Sequence, residues 1–235
     1  MKKLFAFIVM LPFIFGVNGC MDCVDGSGHI TTETRQIKPF RKIELKIPAF
    51  VEVGEVSKTL IRINAQENIL KLITTKVVGE KLVIDASRCI GSAEEIQIAV
   101  FTPSLEELQV KGSGIIKTKH PIVADKLKLE VKGSGKIFAD TYANDVVAAI
   151  KGSAEIVVNG TTVKQKIKIE GSGYYNAMGL KAYETKINIT GSGKAEVSSL
   201  NVLDVKIEGS GEVVYSGDPK ISTKIEGSGT VYKMR

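Results

Sequence analysis

Tryptophan is absent from the 235 residues, histidine occurs only at His29 and His120, and aromatic residues make up 6% of the chain. Chemistry that relies on an imidazole beside a nucleophile or a carboxylate has almost no material here. A strong charge of one sign is missing as well. The formal net charge is +6, and Lys2 and Lys3 in the first nineteen residues account for two of those charges, so the remainder carries only +4. That mild excess, spread over a long chain, argues against dedicated nucleic-acid binding.

Long apolar runs are missing but for one. Lys2 and Lys3 precede the stretch Leu4 to Phe15, which has the basic and apolar regions of an export signal and is too short to span a bilayer as a helix. The run ends in Val17, Asn18, Gly19 and Cys20. This ending resembles a lipobox, although Asn18 departs from the usual small or apolar choice. The resemblance implies cleavage before Cys20, lipidation of Cys20, and tethering of the protein to a bacterial envelope, with the outer membrane expected. Buried acyl chains hold at about 0.8 kcal/mol per CH₂. Cys23 and Cys89 then remain in a compartment where disulfides persist. Spacing alone leaves their pairing open, and the plainer reading is a buried Cys89 with a mobile Cys23.

What the chain does have is glycine, 23 residues of it, and the glycine is periodic. GSG stands at Gly112–Gly114, Gly133–Gly135, Gly171–Gly173, Gly191–Gly193, Gly209–Gly211 and Gly227–Gly229, with GSA starting at Gly152; the steps are 21, 19, 19, 20, 18 and 18 residues. A near-constant period of this size fits one turn of a β-solenoid. Two and four places before each motif stand apolar residues, such as Leu129 and Val131 or Ile187 and Ile189, with polar residues between them. That alternation predicts a strand with one buried face. The second residue past each motif, Ile116, Ile137, Ile156, Tyr175, Ala195, Val213 or Val231, begins a second short strand. GSG is therefore expected to be a corner, where glycine adopts backbone angles that other residues resist. Seven coils at the ~4.8 Å strand spacing would stand roughly 30 Å tall.

The outward positions before each corner form two columns. Lys111, Lys132 and Lys151 give way to Glu170, Glu208 and Glu226 in the first, while the second passes from Gln109 and Glu130 to Lys168, Lys206 and Lys224. Neighbours two apart can pair, giving a soluble face of mixed charge. Residues 29–105 show strand alternation without GSG, with one short helical stretch, QENILKLI, from Gln66 to Ile73. The chain divides into an export segment (1–19), a short mobile tether (20–28) and one β-solenoid domain (29–235). Within that domain, 29–105 supply strands and a cap, and 106–235 supply the coils.

Taken together, the lipobox, KPFRKIELKIPAFVEV, QENILKLITTKVVGEKLVI, TPSLEELQVKGSG and the serial GSG corners resemble the putative auto-transporter adhesin, head GIN domain family of bacterial envelope proteins. The likeness covers nearly all of residues 38–229. It implies an all-β, right-handed parallel β-helix and an envelope location, and the family brings no established catalytic residues with it.

No other motif survives inspection. GSGYYNAMG at Gly171 lacks the Lys-Ser/Thr of a phosphate loop. The residue after each GSG is not the Asp of a calcium-binding β-roll, so no metal or cofactor is expected. The Asp residues recur at no common coil position, so no convergent carboxylate pair suggests a polysaccharide-cleaving enzyme. Candidate ligand contacts are aromatic: Phe138, which makes a small apolar spot with Val157, an isolated Tyr232, and Tyr142, Tyr174 and Tyr183 around the corners. The expectation is a non-catalytic, lipid-anchored adhesin or interaction module that binds a protein or a glycan. The alternatives are a periplasm-facing scaffold or sensor and, behind it, a β-helix enzyme. The open end of the last coil suggests self-association.

Overall fold

The structure is a computed structural model and describes residues 23–54 and 59–234, so the export segment and Cys20 lie outside the described residues. It is 73% strand and 2% helix, arranged as a parallel β-solenoid of about 7 turns. The strands are β1 (Ile30–Gln36), β2 (Lys42–Leu45), β3 (Ala49–Gly54), β4 (Leu60–Gln66), β5 (Ile73–Val78), β6 (Lys81–Ala86), β7 (Ile96–Phe101), β8 (Glu107–Gly112), β9 (Ile115–Thr118), β10 (Ile122–Gly133), β11 (Lys136–Gly152), β12 (Glu155–Gly171), β13 (Tyr174–Gly191), β14 (Lys194–Gly209), β15 (Glu212–Ser216), β16 (Lys220–Gly227) and β17 (Thr230–Lys233). One short helix, α1 (Glu67–Leu70), interrupts them inside the stretch that read as helical.

Each GSG is a corner, and the corners stack. Gly112 pairs in register with Gly133, and the series continues through Gly152, Gly171, Gly191 and Gly209 to Gly227. Gly171 shows why the residue must be glycine: its φ is +115°, and an added Cβ would sit 2.7 Å from the carbonyl oxygen of Gly152. Backbone amides fasten one corner to the next, with Ser172 N–H donating to the Gly152 carbonyl at 3.0 Å and Tyr174 N–H to that of Ala154 at 2.8 Å. These bonds leave no room for a side chain between stacked backbones.

The short second strand expected after each corner is found as β9, β15 and β17 after the Gly112, Gly209 and Gly227 corners, whereas after the four corners between them it is part of one continuous strand; β11 runs for 17 residues to the next corner. Its inward residues are Ile137, Ala139, Thr141 and Ala143, then Val146, Ala148 and Ile150. The alternation slips at Asn144 and Asp145, which both face outward. This slip is a second bend, and it carries no glycine signature. It recurs near Val163–Lys164, Tyr183–Glu184 and Leu200–Val202.

The core is a stack of apolar ladders. Ile43, Leu108, Leu129, Ala148, Ile167, Ile187 and Val205 are register partners on successive coils, and all are buried. Burial of this kind stabilises by about 25 cal/mol per Å². Tyr175 is wholly buried; its hydroxyl hydrogen-bonds Gln165 Oε1 at 3.2 Å, and Gln165 Nε2 donates to Thr185 Oγ1 at 3.0 Å. Its polar tip is thereby satisfied inside the core.

The N-terminal strands do not stack in chain order. β2 lies between β6 and β8, and β3 lies between β7 and β9, all parallel. The coil made by residues 42–54 is thus inserted beneath the later coil of residues 81–101. Beyond it, β4 runs antiparallel to both β7 and β1, and β5 antiparallel to β6. These antiparallel strands end the parallel stack on that side.

Two readings of the sequence need correction here. Cys23 and Cys89 form a disulfide across a separation of 66 residues. Residues 23–28 are therefore not a loose tether: Val24 N–H donates to the Cys89 carbonyl at 2.9 Å, Gly26 N–H to that of Ser92 at 2.7 Å, and Asn68 Nδ2 to the Asp25 carbonyl at 2.7 Å. The folding of residues 59–92 creates this docking site, so local composition could not reveal it.

Candidate functional site

The second bend exposes apolar side chains coil after coil. Val123, Tyr142, Val163, Tyr183 and Leu200 belong to consecutive coils and are between 47% and 77% exposed. Val123 and Tyr142 are direct register partners. Val163 and Tyr183 lie level with one another, between the pairs Thr162–Ala182 and Lys164–Glu184. Leu200 follows where the β13–β14 register shifts. With ~4.8 Å between coils, the ridge is roughly 20 Å long. Tyr142 itself pairs with Thr161, so the Val123–Tyr142 and Val163–Tyr183 pairs are staggered by two residues along the strand. Side chains of this size normally enter the core, and a staggered exposed band of them marks an interaction surface.

A charged column borders the ridge. Lys126, Asp145, Lys164 and Glu184 are register partners on four successive coils, so the sign alternates along the axis. Lys164 and Glu184 approach to 3.3 Å, and the next row adds Lys186 with Asp204 at 3.0 Å. A polymer lying along the ridge would meet aromatic and aliphatic groups on one side and both donors and acceptors on the other.

The other aromatic candidates sit on a different face. Phe138 and Val157 are register partners and share a shallow groove with Phe50 and Ile115; Phe50, which the repeat pattern could not single out, belongs to the inserted coil. Tyr174 and Tyr232 are tied down, with hydroxyls 2.8 Å from Glu196 and 2.9 Å from Glu212. Burial first, and then the Glu196 contact, push the Tyr174 hydroxyl up to about 12. Val214 is only 6% exposed. It lies in register between Glu196 and Tyr232, and the Tyr232 side chain reaches past it toward Glu212. Of the five predicted contacts, only Tyr142 and Tyr183 come together on one free surface.

The carboxylates serve the scaffold. Lys206 reaches Glu208 at 2.5 Å, Lys224 reaches Glu226 at 2.8 Å, Lys168 pairs with Glu170, and Glu130 lies 2.8 Å from both Lys128 and Lys132. These are the pairs two residues apart that the columns predicted. In Glu44 and Glu130 burial pushes the carboxyl upward, but hydrogen bonds from Lys111 and from Lys128 and Lys132 outweigh it; in Glu170 and Glu226 the bonds from Lys168 and Lys224 lead the lowering. All four stay ionised, the opposite of what a general acid requires. Among the described residues no group of three or more His, Cys, Asp or Glu is placed to hold a metal ion.

Stacked GSG corners and a mixed-charge outer face are the setting for the comparison with known proteins. A family model described as putative auto-transporter adhesin, head GIN domain, matches residues 39–219. The chain belongs to this family. No curated protein matches it in sequence. Among solved structures, a putative adhesin from Bacteroides fragilis is 22% identical, with a TM-score of 0.85 over 90% of this chain and 100% of its own. A putative lipid binding protein from Parabacteroides distasonis is 25% identical, with a TM-score of 0.78 over 91% of this chain and 100% of its own. A putative adhesin from Parabacteroides merdae is 21% identical, with a TM-score of 0.69 over 91% of this chain and 100% of its own. The fold is thus that of the head GIN domain family; two of these relatives are described as putative adhesins and one as a putative lipid binding protein.

Proposed function

We propose that this head GIN domain protein is a non-catalytic adhesin of the bacterial envelope, anchored by lipid at Cys20, that grips an extended glycan along the second-bend ridge. One observation carries the reading: Val123, Tyr142, Val163, Tyr183 and Leu200 stand exposed on consecutive coils. Tyr142 and Tyr183 are two coils apart and offset by two residues along the strand, roughly 12 Å, so their rings can pack against separate sugar units of a chain that crosses the coils obliquely. The bordering Lys126, Asp145, Lys164 and Glu184 offer hydrogen-bond partners to sugar hydroxyls. The Cys23–Cys89 disulfide supports residence in an oxidising, exported compartment.

The test is binding of the purified chain to a panel of immobilised polysaccharides, with proteins and liposomes as parallel arms. The liposomes address the description carried by the Parabacteroides distasonis relative. Replacing Tyr142 and Tyr183 together by Ser should lower polysaccharide affinity at least about tenfold while leaving the melting temperature within a degree or two, as expected for exposed sites. Equal binding by the two chains sinks the ridge as the site. Binding confined to the protein or liposome arm replaces the glycan with that partner. Release of new reducing ends from the polysaccharide overturns the non-catalytic reading. Protease shaving of intact cells decides orientation: cleavage supports an adhesin, whereas survival of the full chain moves the reading to a periplasm-facing scaffold.

A further inference from the structure

The last coil leaves a ladder unfinished. Ile221, Thr223 and Ile225 of β16 continue the positions of Leu203, Val205 and Ile207. Those three residues of β14 are fully buried, yet Ile221 is 43% and Ile225 41% exposed. Every residue of β16 is exposed, and among the described residues no strand pairs with its outer edge. Backbone groups at such an edge are unsatisfied except by water and can template another strand.

The strand is written to accept itself in reverse. Around Thr223, an antiparallel two-fold pairing sets Ile221 opposite Ile225, Ser222 opposite Lys224, and Lys220 opposite Glu226. Inward residues meet inward residues, so the apolar ladder closes across the junction. Among the described residues Lys220 pairs with no carboxylate of its own chain, and the arrangement supplies it with one twice over. Sliding the register by two residues loses this match, placing Lys220 against Lys224 in one direction or Lys224 against itself in the other.

The backbone agrees. In the stacked coils Lys128 N–H donates to the Glu106 carbonyl of the preceding coil at 2.8 Å, and Ser222 occupies the Lys128 position in the last coil. Backbone groups alternate sides along a strand. Those of Ile221, Thr223 and Ile225 therefore point to the open edge, where an antiparallel mate centred on Thr223 can exchange hydrogen bonds with them. At the opposite end the edge strands β1 and β5 each run antiparallel to their inner neighbour, so that end does not present the parallel coil edge that a head-to-tail continuation of β16 would need. The contact is isologous, and isologous contacts close at two copies.

We propose that two copies of this protein associate tail to tail through β16, making one continuous solenoid with two ridges. The inference is independent of what the ridge binds. Sedimentation velocity of the full chain in mild detergent, over a dilution series, tests it with charge variants of the two matched positions. The wild type is expected to form dimers. Glu226→Lys, which sets like charges opposite each other at two symmetric places, should weaken dimerisation by about tenfold, and Lys220→Glu should do the same. The double variant Lys220→Glu/Glu226→Lys restores attraction and should return the affinity to near the wild-type value. A chain that stays monomeric at the highest concentration reached overturns the proposal. So does association that ignores all three substitutions, which would place the contact elsewhere.

Discussion

At the scale of the residue, the two glycines of each corner have different burdens. Gly171 has a positive φ and would drive a Cβ into the Gly152 carbonyl, whereas Gly173 has no positive φ and a Cβ there would press on the Cγ2 of Ile150 at 2.3 Å and approach the Ala154 carbonyl at 3.1 Å. The coil before it carries Ala154 at the second glycine's place. Gly171→Ala should therefore cost about 3 kcal/mol and Gly173→Ala about 1 kcal/mol, read as the shift in urea midpoint at constant m-value. Glu130 makes stability depend on pH. Its carboxyl lies at about 2 against an ordinary 4.5, since hydrogen bonds from Lys128 and Lys132 outweigh the upward push of burial. The folded chain holds this proton less tightly than the unfolded chain, so the stabilisation is complete above about 4.5 and disappears as pH falls toward 2. The melting temperature should drop across that window, and Glu130→Gln should shallow the drop.

At the scale of the element, the corner and the second bend differ in how plainly the sequence announces them. The corner needs a backbone conformation that glycine alone adopts without strain, so it leaves a mark at every turn. The second bend needs only two consecutive outward residues, such as Asn144 and Asp145, and many residue types suit that. The signal was present as a break in apolar alternation, and the misplaced Val163 and Leu200 could have pointed to it. The Cys23–Cys89 strap is a second element that local pattern missed, because its partners lie 66 residues apart. Cys89→Ser should lower stability by about 2–4 kcal/mol. It should also make residues 23–28 the first segment cut in limited proteolysis.

At the scale of the whole molecule, each coil touches chiefly its neighbours, so stability is close to a sum of coil and interface contributions. A coil with one neighbour opens before a coil with two. In dilute solutions of the Glu226→Lys chain, where tail-to-tail pairing is weakened, amide exchange should be fastest in β16 and β17 and slowest in β11, β12 and β13; uniform protection would contradict this. The sequence by itself determined the coil, its period, its corner and its inward ladder. Those depend on residues within one turn of each other, and the ~4.8 Å stacking of identical turns repeats them. Only the tertiary structure decided that residues 42–54 slot beneath residues 81–101, that Cys23 meets Cys89, and that Tyr142 and Tyr183 share a ridge while Tyr174 and Tyr232 are tied to carboxylates. Each of those depends on which segment lies beside which after folding, and contacts between distant segments leave no period in the chain.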